Sequence, residues 1–368
     1  MIIAINSFGP QRNDHYSGFI EEAALKLAQH CPELEVYLFV AYAFGKEISF
    51  PINLKQVIIN NPFNHNILLR WWHLYKLKTK LKAIKADVLV NSWLWPNAKI
   101  PYCTLLSFAD IQALIKKSFW QNLKNKRRDV DNLVKSKSII TLIQSSKDLL
   151  LKNFSIEPDK IKVVPPAKDP FLIPATSEVQ TRIKEEFTDG KEYFIANISE
   201  KDPGEFIKLL KAFSIFKKRQ QSNMKLVIIP LNNETHGIFQ EHLENYKYNG
   251  DVILRNNLSL MEQARLLGSA YACIYLSPVY FEGMALEALQ PGIPVLLPIN
   301  SPMSEITGDA ALYFNASEIT SLADQLMLIF KDEDLRNKLI LKGKNLAAKY
   351  NWEQTVIVFR QSIAEAIQ

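Results

Sequence analysis

The sequence predicts an α/β chain of two domains, each a parallel sheet covered by helices on both faces. Three observations carry this. Apolar runs of strand length alternate with helically spaced stretches along nearly the whole chain, the pattern of repeated strand–helix–strand units. The alternation runs through twice, and between the two passes lies a proline-rich junction at Pro165-Pro166, Pro170 and Pro174. The length, 368 residues, exceeds what one ordinary core encloses and suits two domains.

The elements follow in order. Met1 to Asn6 is an apolar run that reads as the first strand, and Ser7 to Gly18 reads as a polar loop. Phe19, Ala23 and Leu27 then recur at helical spacing up to His30, followed by Pro32 and the strand Glu35 to Val40. Further strands are expected at Val57 to Ile59, Val88 to Val90, Cys103 to Phe108 and Ile139 to Ile143, with helices between them. In the second pass, strands are expected at Tyr193 to Ile198, Lys225 to Ile229, Val252 to Leu254, Ala272 to Leu276 and Ile293 to Leu297. Helices are expected at Glu205 to Arg219, Leu260 to Ala270 and Met284 to Leu289. The last of these should stop at Pro291-Gly292, because proline cannot continue a helix and glycine accepts the left-handed cap conformation. Trp352 to Ile367 reads as a long amphipathic closing helix. The expected domains are therefore 1–173 and 174–350, with 351–368 as the final helix.

Composition narrows the function. Apolar residues make up 48% and charged residues 22%, ordinary for a globular protein. No run approaches the roughly 18 to 20 apolar residues that span a bilayer. The start lacks the basic leader, long apolar core and cleavage site of a signal peptide. Cys31, Cys103 and Cys273 are odd in number and far apart, which argues against a disulfide framework or structural zinc and fits a reducing, cytoplasmic setting. The net charge of +6 is uneven: His65 to Lys137 holds 15 Lys and Arg against four Asp, so the rest of the chain is net acidic. A basic face of this kind suits nucleic acid, anionic lipid or a phosphorylated substrate, against the plainer reading of a solvated surface.

The motif search excludes several chemistries. The chain has no Gly-x-Gly-x-x-Gly dinucleotide fingerprint, no phosphate-loop motif and no His-Glu-x-x-His zinc motif. Asp129-Val130-Asp131 has the form of an Asp-x-Asp metal pair, but it follows Lys126, Arg127 and Arg128 in a helical stretch and reads as local charge compensation. No metal site is expected. No recognised nucleic-acid module is present either, so a nucleic-acid partner is not expected.

The strongest signal lies between Ala270 and Phe314. There Ser277 is followed by Phe281-Glu282-Gly283-Met284-Ala285-Leu286-Glu287-Ala288-Leu289, then Pro291-Gly292-Ile293-Pro294-Val295, then Ser304-Glu305-Ile306-Thr307-Gly308-Asp309-Ala310-Ala311. This order resembles the donor-binding segment of the family-four (group 1) glycosyltransferases, retaining enzymes of the GT-B fold with two facing Rossmann-like domains and a C-terminal helix crossing back to the first. Leu209-Leu210-Lys211-Ala212-Phe213, Ser146-Lys147-Asp148-Leu149, Lys160 to Pro166 and Tyr350-Asn351-Trp352-Glu353 resemble other parts of that family. The resemblance implies a nucleotide diphosphate sugar as donor substrate, no further cofactor, and a glycan or lipid-linked glycan as acceptor. It makes Glu287 the ribose-binding residue, and Glu282 and Gly283 the residues at the sugar. It sets Gly18, in a loop before the first helix, opposite the donor phosphates. Glu305 falls in the matching acidic segment, either at the donor or bracing a helix start. The physics agrees: a glycine lets backbone approach a ligand, and a helix start favours a diphosphate.

The departures from that pattern fall on chemistry. The family's two glutamates stand eight positions apart, whereas Glu282 and Glu287 stand five apart. Either the loop is shortened and Glu282 contacts the sugar, or Val279 occupies the first glutamate's place. Pro203 and Gly204 stand where the family has an Arg and a Lys against the leaving diphosphate, with Lys201 nearby as a substitute at a different spacing. Losing one such charge costs on the order of 3 kcal/mol. Ala109 replaces a His, leaving Asp110 of the expected His-Asp pair, so the resemblance makes Glu282 and Asp110 the candidate catalytic residues; Asn197-Ile198 and Ala167 stand where glycines are usual. Two readings stay open: an active hexosyltransferase with a rebuilt site, or a catalytically degenerate member serving as the non-catalytic partner of an active transferase.

Arg70 to Lys85 adds a basic, aromatic-rich helix. Trp71, Leu74, Leu77, Leu81 and Ile84 form one apolar stripe with lysines on the other faces. Its two readings are a core-facing stripe and an interfacial helix on anionic lipid, the latter making the protein peripheral at the inner face of a membrane.

Overall fold

In the computed structural model, residues 1–7, 15–40, 50–59, 66–92, 99–120, 123–167, 172, 174–198, 203–230, 236–256, 258–277 and 282–367 are described. They fall into two compact units, one of Met1–Pro166 with Asn351–Gln368 and one of Ala167–Tyr350.

The first unit alternates strand and helix: β1 (Ile2–Asn6), α1 (His15–His30), β2 (Glu35–Val40), β3 (Leu54–Ile58), α2 (Asn66–Ile84), β4 (Val88–Asn91) and β5 (Tyr102–Leu105). It continues through α3 (Phe108–Trp120), α4 (Leu123–Lys135), β6 (Ser138–Thr141), α5 (Gln144–Asn153) and β7 (Ile161–Val163). Its strands form a seven-stranded sheet in the order β3-β2-β1-β4-β5-β6-β7, with every pairing parallel. β1 and β4 are neighbours, so the winding reverses between them. The central strands are short apolar runs buried throughout, as a sheet covered on both faces requires.

The second unit repeats the plan with α6 (Ser177–Thr188), β8 (Tyr193–Ile198), α7 (Pro203–Gln220), β9 (Lys225–Pro230), α8 (His236–Glu244), β10 (Val252–Leu254) and α9 (Leu260–Gly268). Then come β11 (Ala272–Tyr275), α10 (Met284–Leu289), β12 (Val295–Pro298), α11 (Ser304–Thr307), β13 (Ala311–Phe314), α12 (Ile319–Lys331) and α13 (Glu333–Ala347). Its parallel sheet runs β10-β9-β8-β11-β12-β13, reversing between β8 and β11. One core of this unit gathers Phe194, Phe206, Phe213, Phe216 and Phe239 with aliphatics of β9, β11 and α12. Phe206 stacks on Phe239 at 4.4 Å between centroids, so aromatic packing ties α7 to α8.

The closing helix α14 (Trp352–Glu365) belongs to the first unit. Asn351 caps it, its side chain accepting from the Gln354 N–H at 3.0 Å. Trp352 stacks on Phe19 of α1 at 5.4 Å, Thr355 Oγ1 donates to the Pro165 carbonyl at 2.9 Å, and Arg360 pairs with Glu33 at 2.8 Å.

Three expectations need correction. The loop expected up to Gly18 ends earlier: helix α1 begins at His15, so Gly18 lies in its first turn rather than before it. Phe108 opens α3 instead of extending β5. Ser107 and Asp110 fix that start by bonding reciprocally, as detailed below, and a capped turn cannot continue the strand. Trp71 leaves the core stripe of α2. Leu74, Leu77 and Leu81 are buried while Trp71 is 63% exposed: around the helix axis it stands roughly 60° from Leu74 and roughly 120° from Leu77, on the side toward solvent.

Candidate functional site

The site begins at the carboxyl ends of the strands flanking the reversal in the second sheet. In open parallel sheets this is where loops from both directions part and leave room for a ligand. β8 ends at Asn197-Ile198 and β11 leads to Ser277, and both Asn197 and Ser277 are buried. Asn197 lies in register with Tyr275 across the pair.

Beyond Ser277, the described chain resumes at Glu282, which is completely buried, and Gly283, which starts α10. Gly283 has φ −70°, an ordinary helical value, so no unusual dihedral demands a glycine there. The start of α10 is tied to the sheet by Tyr275, whose hydroxyl donates to the Met284 carbonyl at 2.8 Å. Five of the six residues of α10 are buried. Glu287 is the half-buried exception, the one acidic group on the helix. Its charge reaches β11: the Cys273 thiol is pushed up to about 12, chiefly by burial, with Glu287 adding to the rise.

α10 is held firmly from behind. Gly292, after Pro291, has φ +91°, which side chains rarely adopt; a Cβ there would also lie 2.4 Å from Lys344 Cε and 3.3 Å from Ile340 Cγ2. α13 approaches α10 so closely that a Cβ on Gly343 would sit 2.8 Å from Leu289 Cδ2. A six-residue helix does not persist by propensity, so this packing fixes where Glu282 and Glu287 stand.

Next to α10, α11 carries Glu305, which is exposed. Its charge helps burial to raise the hydroxyl of Tyr350 above the usual tyrosine range. Gly308 follows with φ +48° and ψ −126°. Thr307 Oγ1 and the Tyr313 hydroxyl share a 2.9 Å hydrogen bond, and Asp309 pairs with Lys342 at 2.6 Å. This bracing holds the Ser304-to-Ala311 segment beside α10.

Of the residues singled out in the sequence, the structure gathers Glu282, Gly283 and Glu287 on one turn and helix, with Glu305 on the adjoining α11. Gly18 and Asp110 belong to the other unit. Gly18 is exposed, and no atom stands within 4 Å of where its Cβ would be. Asp110 is engaged in a capping box: the Ser107 N–H and hydroxyl donate to its Oδ2 at 3.0 and 2.7 Å, and its own N–H donates to Ser107 Oγ at 3.2 Å. Lys201 lies outside the described residues. Pro203 and Gly204 are the opening residues of α7, so this helix start carries no cation at those positions. Asp129 of the Asp-x-Asp pair is buried in α4, and no metal-holding cluster occurs among the described residues.

A second polar cluster went unremarked in the sequence. At the reversal of the first sheet, Asn6 Nδ2 donates to Asn91 Oδ1 at 2.8 Å and Ser92 Oγ donates to the Asn6 carbonyl at 3.1 Å, all three residues being buried. Ser7 Oγ bonds Glu21 at 2.9 Å. The signal was available: β1 and β4 each end on an Asn followed by a Ser, a polar pair closing an apolar run.

Comparison with known proteins agrees with this architecture. Residues 180–346 match the family described as glycosyl transferases group 1. The O-antigen chain mannosyltransferase B of Escherichia coli is 19% identical over 227 residues, which is 61% of this chain and 59% of that protein, so the match spans well under two thirds of the relative. Among solved structures, WaaG, a glycosyltransferase involved in lipopolysaccharide biosynthesis, superposes with TM-score 0.76 at 14% identity over 98% of both chains. Anabaena HepE in complex with UDP and glucose gives 0.76 at 13% identity over 99% of both. Sucrose-phosphate synthase from Thermosynechococcus elongatus gives 0.78 at 12% identity, covering 98% of this chain and 97% of that one. At these identities the structures establish the fold, two Rossmann-like domains of the GT-B type. The family resemblance read from the sequence therefore holds, carried by residues 180–346.

Proposed function

We propose, for a chain whose second unit matches the group 1 glycosyl transferases and whose fold is theirs, that it transfers a hexose with retention from a nucleotide diphosphate sugar to a glycan or lipid-linked glycan. The single observation that carries this reading is the Glu282–Gly283–Glu287 constellation. It places two carboxylates, one buried and one half-buried, on a rigidly backed turn and helix at the carboxyl end of β11. Glu287 accepts hydrogen bonds from the two ribose hydroxyls. Glu282 and the backbone at Gly283 hold the sugar, and Glu305 supports the donor from α11. The roles of Gly18 and Lys201 toward the diphosphate rest on the family resemblance alone. Glu282 and Asp110, the latter in the first turn of α3, are the catalytic residues of this reading.

The test is donor turnover. Full-length protein is incubated with UDP- and GDP-linked hexoses and a membrane glycan extract, and release of free nucleotide is followed. The reading expects release with at least one donor, and a drop of about a hundredfold in Glu282→Gln, the scale of losing one preorganised transition-state contact. Release unchanged in Glu282→Gln contradicts the assignment.

A second reading is supported by a specific observation. The opening residues of α7, Pro203 and Gly204, and Ala109 in α3 carry none of the charge the family places there. In this reading the protein is a catalytically degenerate member that serves an active transferase as its non-catalytic partner. Absence of nucleotide release from every donor, with the protein recovered bound to a transferase, would favour it.

A further inference from the structure

Helix α2 is apolar on two faces, and the sheet uses one of them. Leu77 and Leu81 pack with Ala4, Phe39, Leu89 and Tyr102 in a core of the first unit, and Leu74 and His73 are buried as well. Leu68, Trp71 and Tyr75 are 52%, 63% and 64% exposed. Spaced three and four apart, they form one row along the outer face, and Lys78 and Lys82 continue it. Single exposed apolar residues are common, but a row of three exposed on one helix face is not scatter.

The charge around the row has one sign. Asn66 to Lys85 contains Arg70 and five lysines and no acidic residue. Lys78, Lys80, Lys82 and Lys85 are exposed, and Lys76 Nζ stands 4.4 Å from the Trp72 ring centroid. A row of aliphatic and aromatic side chains among lysines is matched by a surface that offers both an apolar phase and negative charge a few ångströms apart. An anionic lipid bilayer does so: Trp and Tyr settle at the headgroup level while lysines meet the lipid phosphates. A nucleic acid would satisfy the lysines but leave Leu68 and Trp71 in water.

We propose that the outer face of α2 is a docking surface for an anionic membrane, with Leu68, Trp71 and Tyr75 entering the interface and Lys78 and Lys82 meeting the headgroups. This surface belongs to the first unit and is independent of the donor-site reading, so either can fail alone. Among the described residues no helix is long and apolar enough to cross a membrane; the contact proposed is lateral.

The test is sedimentation of the full-length protein with phosphatidylcholine vesicles, with and without roughly a third phosphatidylglycerol. Each lysine near an anionic surface is worth roughly fivefold in affinity at modest salt. The expected result is binding to the anionic vesicles, at least about tenfold weaker on pure phosphatidylcholine. Trp71→Ser/Tyr75→Ser and Lys78→Glu/Lys82→Glu should each weaken binding at least about tenfold while keeping the wild-type urea unfolding curve, since all four side chains lie at the surface. No binding to anionic vesicles at low salt overturns the proposal. So does binding that both variants leave unchanged. Tighter binding to duplex DNA that only the lysine variant weakens would identify a general polyanion surface and overturn it as well.

Discussion

His73 makes the first unit sensitive to mild acid. Its ring is fully buried on α2, and burial lowers its pKa from 6.5 to about 4. Above pH 6.5 the imidazole is neutral in the folded and the unfolded chain, so it adds no pH dependence. As pH falls from about 6.5 toward 4, the unfolded chain takes up a proton that the folded chain refuses, and stability drops; below about 4 both forms are protonated and the loss stops growing. A displacement of about 2.5 units at ~1.4 kcal/mol per unit amounts to about 3 kcal/mol, a large share of the stability of an ordinary domain. The assay is urea unfolding by tryptophan fluorescence at pH 7.5, 6, 5 and 4.5. All six tryptophans lie in the first unit, so the signal reports that unit alone. Wild type is compared with His73→Met, which fills similar space without a titratable group. The wild-type protein should lose about 2 to 3 kcal/mol relative to the variant between pH 7.5 and 4.5. Parallel pH profiles would refute the reasoning. Other acid-sensitive groups act on both proteins and cancel in the difference.

Three further outcomes follow from the same packing. Gly292→Ala should destabilise the second unit by about 1 to 2 kcal/mol, because the positive φ is strained for alanine while the crowding Lys344 side chain can swing away; calorimetric melting should show a fall of several degrees. Asp251→Asn removes the charge that pairs nearly buried Lys217 at 2.9 Å and Lys225 at 3.3 Å, leaving Lys217 on the Ser222 and Met224 carbonyls and the Phe213 ring; a loss of about 2 kcal/mol in urea unfolding followed by circular dichroism is expected, and none would mean the pairs are solvated. Trp352→Ala removes the ring stacked on Phe19 and should cost the first unit about 2 kcal/mol, read as a lower urea midpoint with the second unit unchanged.

How far the sequence reached can be traced residue by residue. Strands such as Glu35–Val40 and Tyr193–Ile198 were legible to the residue, because β-branched and aromatic runs bounded by turn signals admit one reading. So was the six-residue α10 with its stop at Pro291-Gly292. Errors came where a boundary is set by a bond rather than a pattern. The Ser107–Asp110 box started a helix inside an apolar run, and α1 reached back to His15 past the glycine taken to mark its start. Trp71 was read into the core stripe because spacing of three fits a helix face on either side of it; burial is decided by what lies opposite, which spacing alone does not show. At the candidate site, the order of Glu282, Gly283, Glu287 and Glu305 was legible, but not that Glu282 would be fully buried or that α13 would back α10 so closely. The close backing by α13 depends on partners about fifty positions away in the chain. The Asn6–Asn91 pair was missed for the same reason: each Asn looked like an ordinary strand end until the sheet order made them neighbours.

The central claim is a working nucleotide-sugar site at Glu287, and calorimetric titration of the full-length protein with UDP and with GDP, alongside Glu287→Ala, tests it most directly. The account predicts that one nucleotide binds with a Kd between roughly a micromolar and a few hundred micromolar, and that the substitution weakens it at least about tenfold, the scale of losing a charged hydrogen-bond acceptor. Absence of binding by both nucleotides, or equal binding by the variant, would contradict it.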